Sequence, residues 1–87
     1  MNRTDYLNKV KSIIVDAAIA QDADSIEEGM SLKGDLGCDS LDITMIVSDI
    51  EEAFDIDISD SLLGDIRTVG DIVDNLVKID GGSDKNE

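Results

Sequence analysis

The sequence has no histidine, no proline, a single cysteine and only two aromatic residues, Tyr6 and Phe54. Without a histidine, a serine nucleophile lacks its usual base within the chain, so a serine hydrolase is disfavoured. One cysteine cannot form an internal disulfide bond. The scarcity of aromatic residues predicts an aliphatic core, and the absence of proline suits packed helices.

Basic residues are also scarce, with 7 Lys and Arg against 21 Asp and Glu, for a formal net charge of −14. Ten of the acidic residues lie between Lys33 and Arg67, in a stretch with no basic residue. The negative electrostatic field of these residues repels nucleic acid and anionic membranes, and it favours partners with basic patches.

Long apolar runs are missing, since no stretch approaches the roughly 20 residues that span a bilayer. The first residues show neither a signal-peptide core nor a transit pattern, so we expect a cytoplasmic protein without membrane insertion. A chain of 87 residues forms one small domain with no room for a deep catalytic cavity. We expect a monomeric domain over residues 1–80 and a flexible polar tail over residues 81–87.

Apolar residues recur at helical spacing in four segments, and no strand is predicted. The predicted helices are Arg3–Ala20, one that starts at Ser40 and carries an apolar stripe as far as Phe54, a short one after Ser59 or Asp60, and one from a Thr68 cap towards Ile79. The long connection Ala23–Gly37 is predicted to contain one turn beginning at Ser25, with Leu32 and Leu36 as core anchors. The fold class is therefore an all-α four-helix bundle with three main helices, a short third helix and a long loop between helices 1 and 2.

The segment "DLGCDSLD", residues 35–42, gives Ser40 a distinctive setting. Gly37 allows a sharp turn, and Ser40 is predicted to begin the second helix with its hydroxyl capping free amides and facing solvent. A phosphodiester at this place is favoured by the helix dipole, by about 0.3–1 kcal/mol. Two interpretations stay open, a plain N-cap serine and a serine modified by another protein. Cys38 is predicted to be only a small residue in a turn, since no cation nearby favours its thiolate.

A metal site is not expected. Residues 55–66 imitate the start of an EF-hand loop, but Asp60 replaces the glycine at position six and Ile66 replaces the glutamate at position twelve.

The Asp-Leu-Gly-x-Asp-Ser-Leu-Asp pattern strongly resembles the phosphopantetheine attachment motif of acyl carrier proteins. The resemblance extends through "EEAFDIDIS" and the helix spacing, over about residues 3–79. It implies that Ser40 carries a covalent phosphopantetheine from coenzyme A. It also implies that Asp39 presents Ser40 to the modifying synthase and that Leu41 packs against partners.

The resemblance implies a carrier that is not itself an enzyme. A phosphopantetheinyl transferase (holo-ACP synthase) that uses a divalent metal would add the arm, whose thiol would hold acyl groups as thioesters. The carrier would then present them to acyl transferases, ketoacyl synthases or other enzymes of fatty-acid, lipid or polyketide biosynthesis.

Two surfaces are predicted for these partners and cargoes. The docking face comprises Leu41, Asp42, Met45, Asp49 and Glu52, and Met45 stands where many family members have a glutamate. The alternative is a solvated face with one stray methionine. The acyl-chain pocket, between the second and third helices, comprises Ile46, Ile50, Phe54, Leu62 and Ile66.

Two other functions stay open from the sequence. One is an aminoacyl or peptidyl carrier, disfavoured by the Asp-Ser-Leu-Asp pattern and the acidity. The other is an acidic calcium-buffering or interaction protein that has no prosthetic group.

Overall fold

Four α-helices account for most of the described chain: α1 (Arg3–Asp16), α2 (Ser40–Phe54), α3 (Asp60–Leu63) and α4 (Val69–Leu76). The computed structural model describes residues 2–17 and 19–81, except for the side chains at positions 60, 62 and 81. A 3-10 turn, Ala23–Ser25, lies between α1 and α2, and a π-helical turn, Val77–Gly81, follows α4. The predicted four-helix architecture with its long first connection is confirmed.

The core is aliphatic, as the composition predicts, and the buried residues of the described chain are all apolar or weakly polar. On α2 the predicted stripe faces inwards, with Ile46, Val47 and Ile50 buried, and Ile43 and Phe54 half-buried at its margins. Every buried aliphatic side chain stabilises the fold by about 1.5–3 kcal/mol, which is how so small a domain overcomes its chain entropy.

Helix α1 ends at Asp16, four residues before the predicted end at Ala20. The Ile19 amide donates to the Ile14 carbonyl at 3.2 Å, which is a wider turn than α-helical pairing gives. Ile19 and Ala20 pack against the core, so tertiary contacts turn the chain although alanine favours helix.

The turn predicted after α1 is present, but Asp22 begins it instead of Ser25. The Asp22 carboxylate accepts from the Asp24 amide at 3.0 Å, and the Ser25 hydroxyl donates to the Asp22 carbonyl at 2.7 Å. Ser25 thus closes the turn, and the predicted capping partner Glu28 instead bonds Arg3 at 2.5 Å.

The connection before α2 is held against the start of α4. The Val69 amide donates to the Met30 carbonyl at 3.1 Å, and the Gly70 amide donates to the Glu28 carbonyl at 2.9 Å. A Cβ at position 70 would lie 3.2 Å from that carbonyl oxygen, so this close approach favours glycine. Leu32, a predicted anchor, is fully buried, and Leu36 is half-buried.

The start of α4 matches its prediction. The Thr68 hydroxyl accepts from the Asp71 amide at 3.1 Å, and the Asp71 carboxylate accepts from the Thr68 amide, also at 3.1 Å. Of the predicted tail, Gly81 belongs to the π-helical turn, and residues 82–87 lie outside the described residues. No helix in the described ranges combines the length and apolarity needed to cross a bilayer.

Candidate functional site

The turn that leads into α2 is built by its own polar side chains. The Asp35 carboxylate accepts from the Ser31 amide at 2.8 Å, and the Ser31 hydroxyl accepts from the Gly34 amide at 2.7 Å. Gly37 has a φ of 71°, in the left-handed region, which confirms that this position needs glycine. The chain therefore reaches α2 through a fixed bend.

Asp39, and not Ser40, is the N-cap of α2. Its carboxylate accepts from the Asp42 amide at 2.9 Å, while the Asp42 carboxylate accepts from the Asp39 amide at 3.2 Å. The prediction that the Ser40 hydroxyl caps the helix is wrong, because this reciprocal pair already satisfies the cap. The interpretation of Ser40 as a plain N-cap serine fails for the same reason.

Ser40 occupies the first helical position with an exposed side chain. Its carbonyl accepts from the Thr44 hydroxyl at 2.9 Å, but its own hydroxyl has no hydrogen bond within the described residues. The hydroxyl is thus free to react at a helix end whose free amides favour an anion.

A groove of about 550 Å³ lies beside Ser40. It is lined by Ser31, Lys33, Ser40, Ile43, Thr44, Leu63, Gly64, Ile66 and Arg67. Helix α2, the end of α3 and the two loops before α2 and α4 thus surround one open space. Helical spacing from Ser40 points to Ile43 and Thr44, but no sequence signal places Lys33 and Arg67 there.

The predicted acyl-chain residues occupy different environments. Ile66 lines the groove, whereas Ile46 and Ile50 are fully enclosed in the core. Phe54 is half-buried, with its ring centroid 5.6 Å from that of Tyr6. The side chain of Leu62 lies outside the described residues. The acyl-chain pocket stays a prediction.

The predicted docking face forms an outer surface of α2. Leu41 and Met45 are 69% and 45% exposed, and they are the large apolar side chains that lie exposed to solvent in the described chain. Asp49 and Glu52 are exposed beside them and border a shallow depression with Asp16 of α1, a residue that the sequence did not single out. Asp42 is half-buried, and its carboxylate accepts from the Asp39 amide in the helix cap. The binding role of this face stays a prediction.

Cys38 is buried two residues before Ser40, at 5% exposure. Burial raises the pKa of its thiol, and the negative charges of Asp42 and Asp39 raise it further. The thiolate is therefore disfavoured, as expected from a structural cysteine.

Comparison with known proteins assigns the family. Residues 8–76 match the family model described as the phosphopantetheine attachment site, a domain that holds a covalently bound prosthetic group. The described geometry fits such a group, because an exposed, uncommitted hydroxyl lies at a helix N-terminus beside a groove whose lining includes two basic residues.

A solved structure of the acyl carrier protein from Enterococcus faecalis is similar to this chain over nearly its whole length. The sequences are 35% identical, the TM-score is 0.73, and the match covers 90% of this chain and 98% of that chain. Phosphopantetheine attachment excludes the acidic buffer without a prosthetic group, and the chain belongs to the acyl carrier proteins.

Proposed function

We propose that Ser40 is the residue to which the phosphopantetheine of this carrier is attached. The observation that carries the proposal is that Asp39, and not Ser40, caps α2. The neighbouring Ser40 hydroxyl is therefore exposed and uncommitted. Gly37 forms the bend just before the helix, and Ser40 is exposed, so an enzyme can reach its hydroxyl.

The attachment is a phosphoryl transfer in which the Ser40 oxygen attacks the coenzyme A pyrophosphate. A bond forms between this oxygen and phosphorus, the pyrophosphate P–O bond breaks, and the adenosine part leaves with its phosphates. The serine proton passes to a base of the transferase, because no described side chain of this chain is hydrogen-bonded to the Ser40 hydroxyl to accept it. When bound, the group supplies a thiol that holds acyl groups as thioesters.

The exposed surface of α2 is proposed as the docking face for basic partners. Leu41 and Met45 offer an apolar contact area, and Asp49 and Glu52 supply negative charge beside it. Charges at the rim of such an interface act chiefly on the association rate. Asp42 contributes less directly, since its carboxylate already bonds the Asp39 amide.

The acyl chain is proposed to enter between α2 and α3. Ile66 and Leu63 line the open groove, and the enclosed Ile46 and Ile50 would have to part to deepen it. The partners would be a phosphopantetheinyl transferase, acyl transferases and ketoacyl synthases of a fatty-acid, lipid or polyketide pathway. The carrier would act in the cytoplasm as a monomer and catalyse no step itself.

Intact mass spectrometry tests the attachment site. Wild-type protein incubated with coenzyme A, magnesium and a broad-specificity transferase should gain one phosphopantetheine, and Ser40→Ala should gain none. Ser48→Ala, an exposed serine on the same helix, is the matched control and should be modified like wild type. Modification of Ser40→Ala would refute the assignment.

A further inference from the structure

Lys33 and Arg67 are the only basic residues between positions 12 and 77 of the sequence, and both line the groove that contains Ser40. Neither of them forms an ion pair within the part of the chain that the structure describes, although ten acidic residues lie between them. Arg3, by contrast, bridges Glu28 at 2.5 Å and Asp74 at 2.6 Å. A backbone hydrogen bond from Arg67 and, more weakly, the charge of Arg67 lower the pKa of the neighbouring Asp71 carboxyl, but neither groove cation is held in an ion pair as Arg3 is.

Backbone pairing fixes this arrangement. The Leu32 amide donates to the Arg67 carbonyl at 2.9 Å, and the Cys38 amide donates to the Leu32 carbonyl at 2.8 Å. The turn carrying Lys33, the loop carrying Arg67 and the segment entering Ser40 are thus linked in series. An isolated bridge between Ser31 and Thr68 extends the same pairing. The two cations accordingly start from neighbouring backbone segments that are hydrogen-bonded to each other and line one groove.

An anion at Ser40 would meet these charges. A phosphodiester on the hydroxyl carries its negative charge next to the oxygen of Ser40, one of the residues that line the groove. Arginine binds phosphate oxygens through a planar pair of donors, and lysine binds them as a compact charge. The free amides of the first turn of α2 favour the same anion.

We propose that Lys33 and Arg67 form an anion subsite for the phosphodiester attached to Ser40, which holds the first part of the arm in the groove. The inference rests on the proposed attachment at Ser40. It gives the arm a resting position along Ile43 and Leu63, which line the same space. The thiol end then leaves Ser40 in the direction of α3.

Melting temperatures of apo and holo protein test the subsite. The variant Lys33→Gln/Arg67→Gln removes the two groove cations, and Lys9→Gln/Lys78→Gln removes two exposed cations outside the groove with the same change in net charge. For each variant, the measured quantity is the change in melting temperature on attachment, holo minus apo. We expect this change to be about 2–8 °C less positive in the groove variant than in the control. The phosphorus-31 resonance of the holo protein should also shift in the groove variant and not in the control.

Three outcomes separate the possibilities, and intact mass is recorded for every sample. Absence of the arm from wild-type protein would overturn the proposed function itself. An arm on Ser40 whose effect on the melting temperature is equal in both double variants, with an unmoved phosphorus resonance, would overturn the subsite alone. Holo protein whose thiol is loaded with a carboxylated acyl group is the third sample. A difference between the two double variants that appears only in this sample would also overturn the subsite, because the cations would then recognise the cargo.

Discussion

Replacing Asp39 with alanine should destabilise the start of α2 while leaving the attachment hydroxyl in place. The substitution removes the carboxylate that accepts from the Asp42 amide at 2.9 Å, and it removes a negative charge at the helix N-terminus. Loss of an aspartate cap costs typically about 1 kcal/mol. Because Asp39 is exposed, water can partly replace it, so we expect a cost of about 0.5–1 kcal/mol.

The assay is thermal unfolding of the apo protein, followed by far-ultraviolet circular dichroism. For a domain of this size, about 1 kcal/mol lowers the melting temperature by roughly 4–8 °C, so Asp39→Ala should melt about 2–8 °C below wild type. Asp39→Asn retains an acceptor for the Asp42 amide and should lose much less.

Ser40→Ala is the decisive control. The Ser40 hydroxyl has no hydrogen bond within the described residues, and alanine favours helix, so its melting temperature should stay close to wild type. A loss in Ser40→Ala as large as that in Asp39→Ala would refute the assignment of the cap to Asp39.

Three further predictions concern acid stability, thiol reactivity and docking. Hydrogen bonds from the Arg67 backbone, and then from Thr68, hold the pKa of Asp71 below its ordinary value of 3.8. Its contribution to stability is therefore present above that value and is lost as pH falls through the lower folded pKa, and Asp71→Asn should flatten this limb of the melting temperature against pH. Burial raises the pKa of the Cys38 thiol, so alkylation of the native protein should find no fast-reacting thiol in the apo form. The holo form should show one, the thiol of the arm. A fast-reacting thiol in apo protein would contradict the burial of Cys38. Glu52→Lys should slow acyl transfer by a cognate enzyme more than Glu27→Lys, a control in an exposed loop. Equal transfer rates for the two variants would refute the proposed docking face.

Sequence periodicity and capping residues were sufficient to predict those helix features that depend on residues close together in the chain. Thr68 and Asp71 predicted the start of α4, and the spacing of Ile46 and Ile50 predicted the buried side of α2. The end of α1 was missed because alanine-rich sequence favours helix while packing of Ile19 against the core turns the chain earlier.

The candidate site shows the same contrast. The motif located Ser40 at the start of a helix, but both serine and aspartate are good N-caps, so local propensity could not choose between them. The reciprocal bonds between Asp39 and Asp42 made the choice. Lys33 and Arg67 could not be placed together from sequence, since a backbone hydrogen bond from Leu32 to Arg67 brings distant segments into contact.

Fragmentation mass spectrometry of the modified chain tests the central claim most directly. Trypsin should release residues 34–67 as one peptide, because no Lys or Arg interrupts it, and this peptide contains Ser40, Ser48, Ser59 and Ser61. Fragment ions from holo protein should place the whole phosphopantetheine mass on Ser40. Fragment ions that place the arm on any other residue, or a modified protein whose 34–67 peptide is unmodified, would contradict the account.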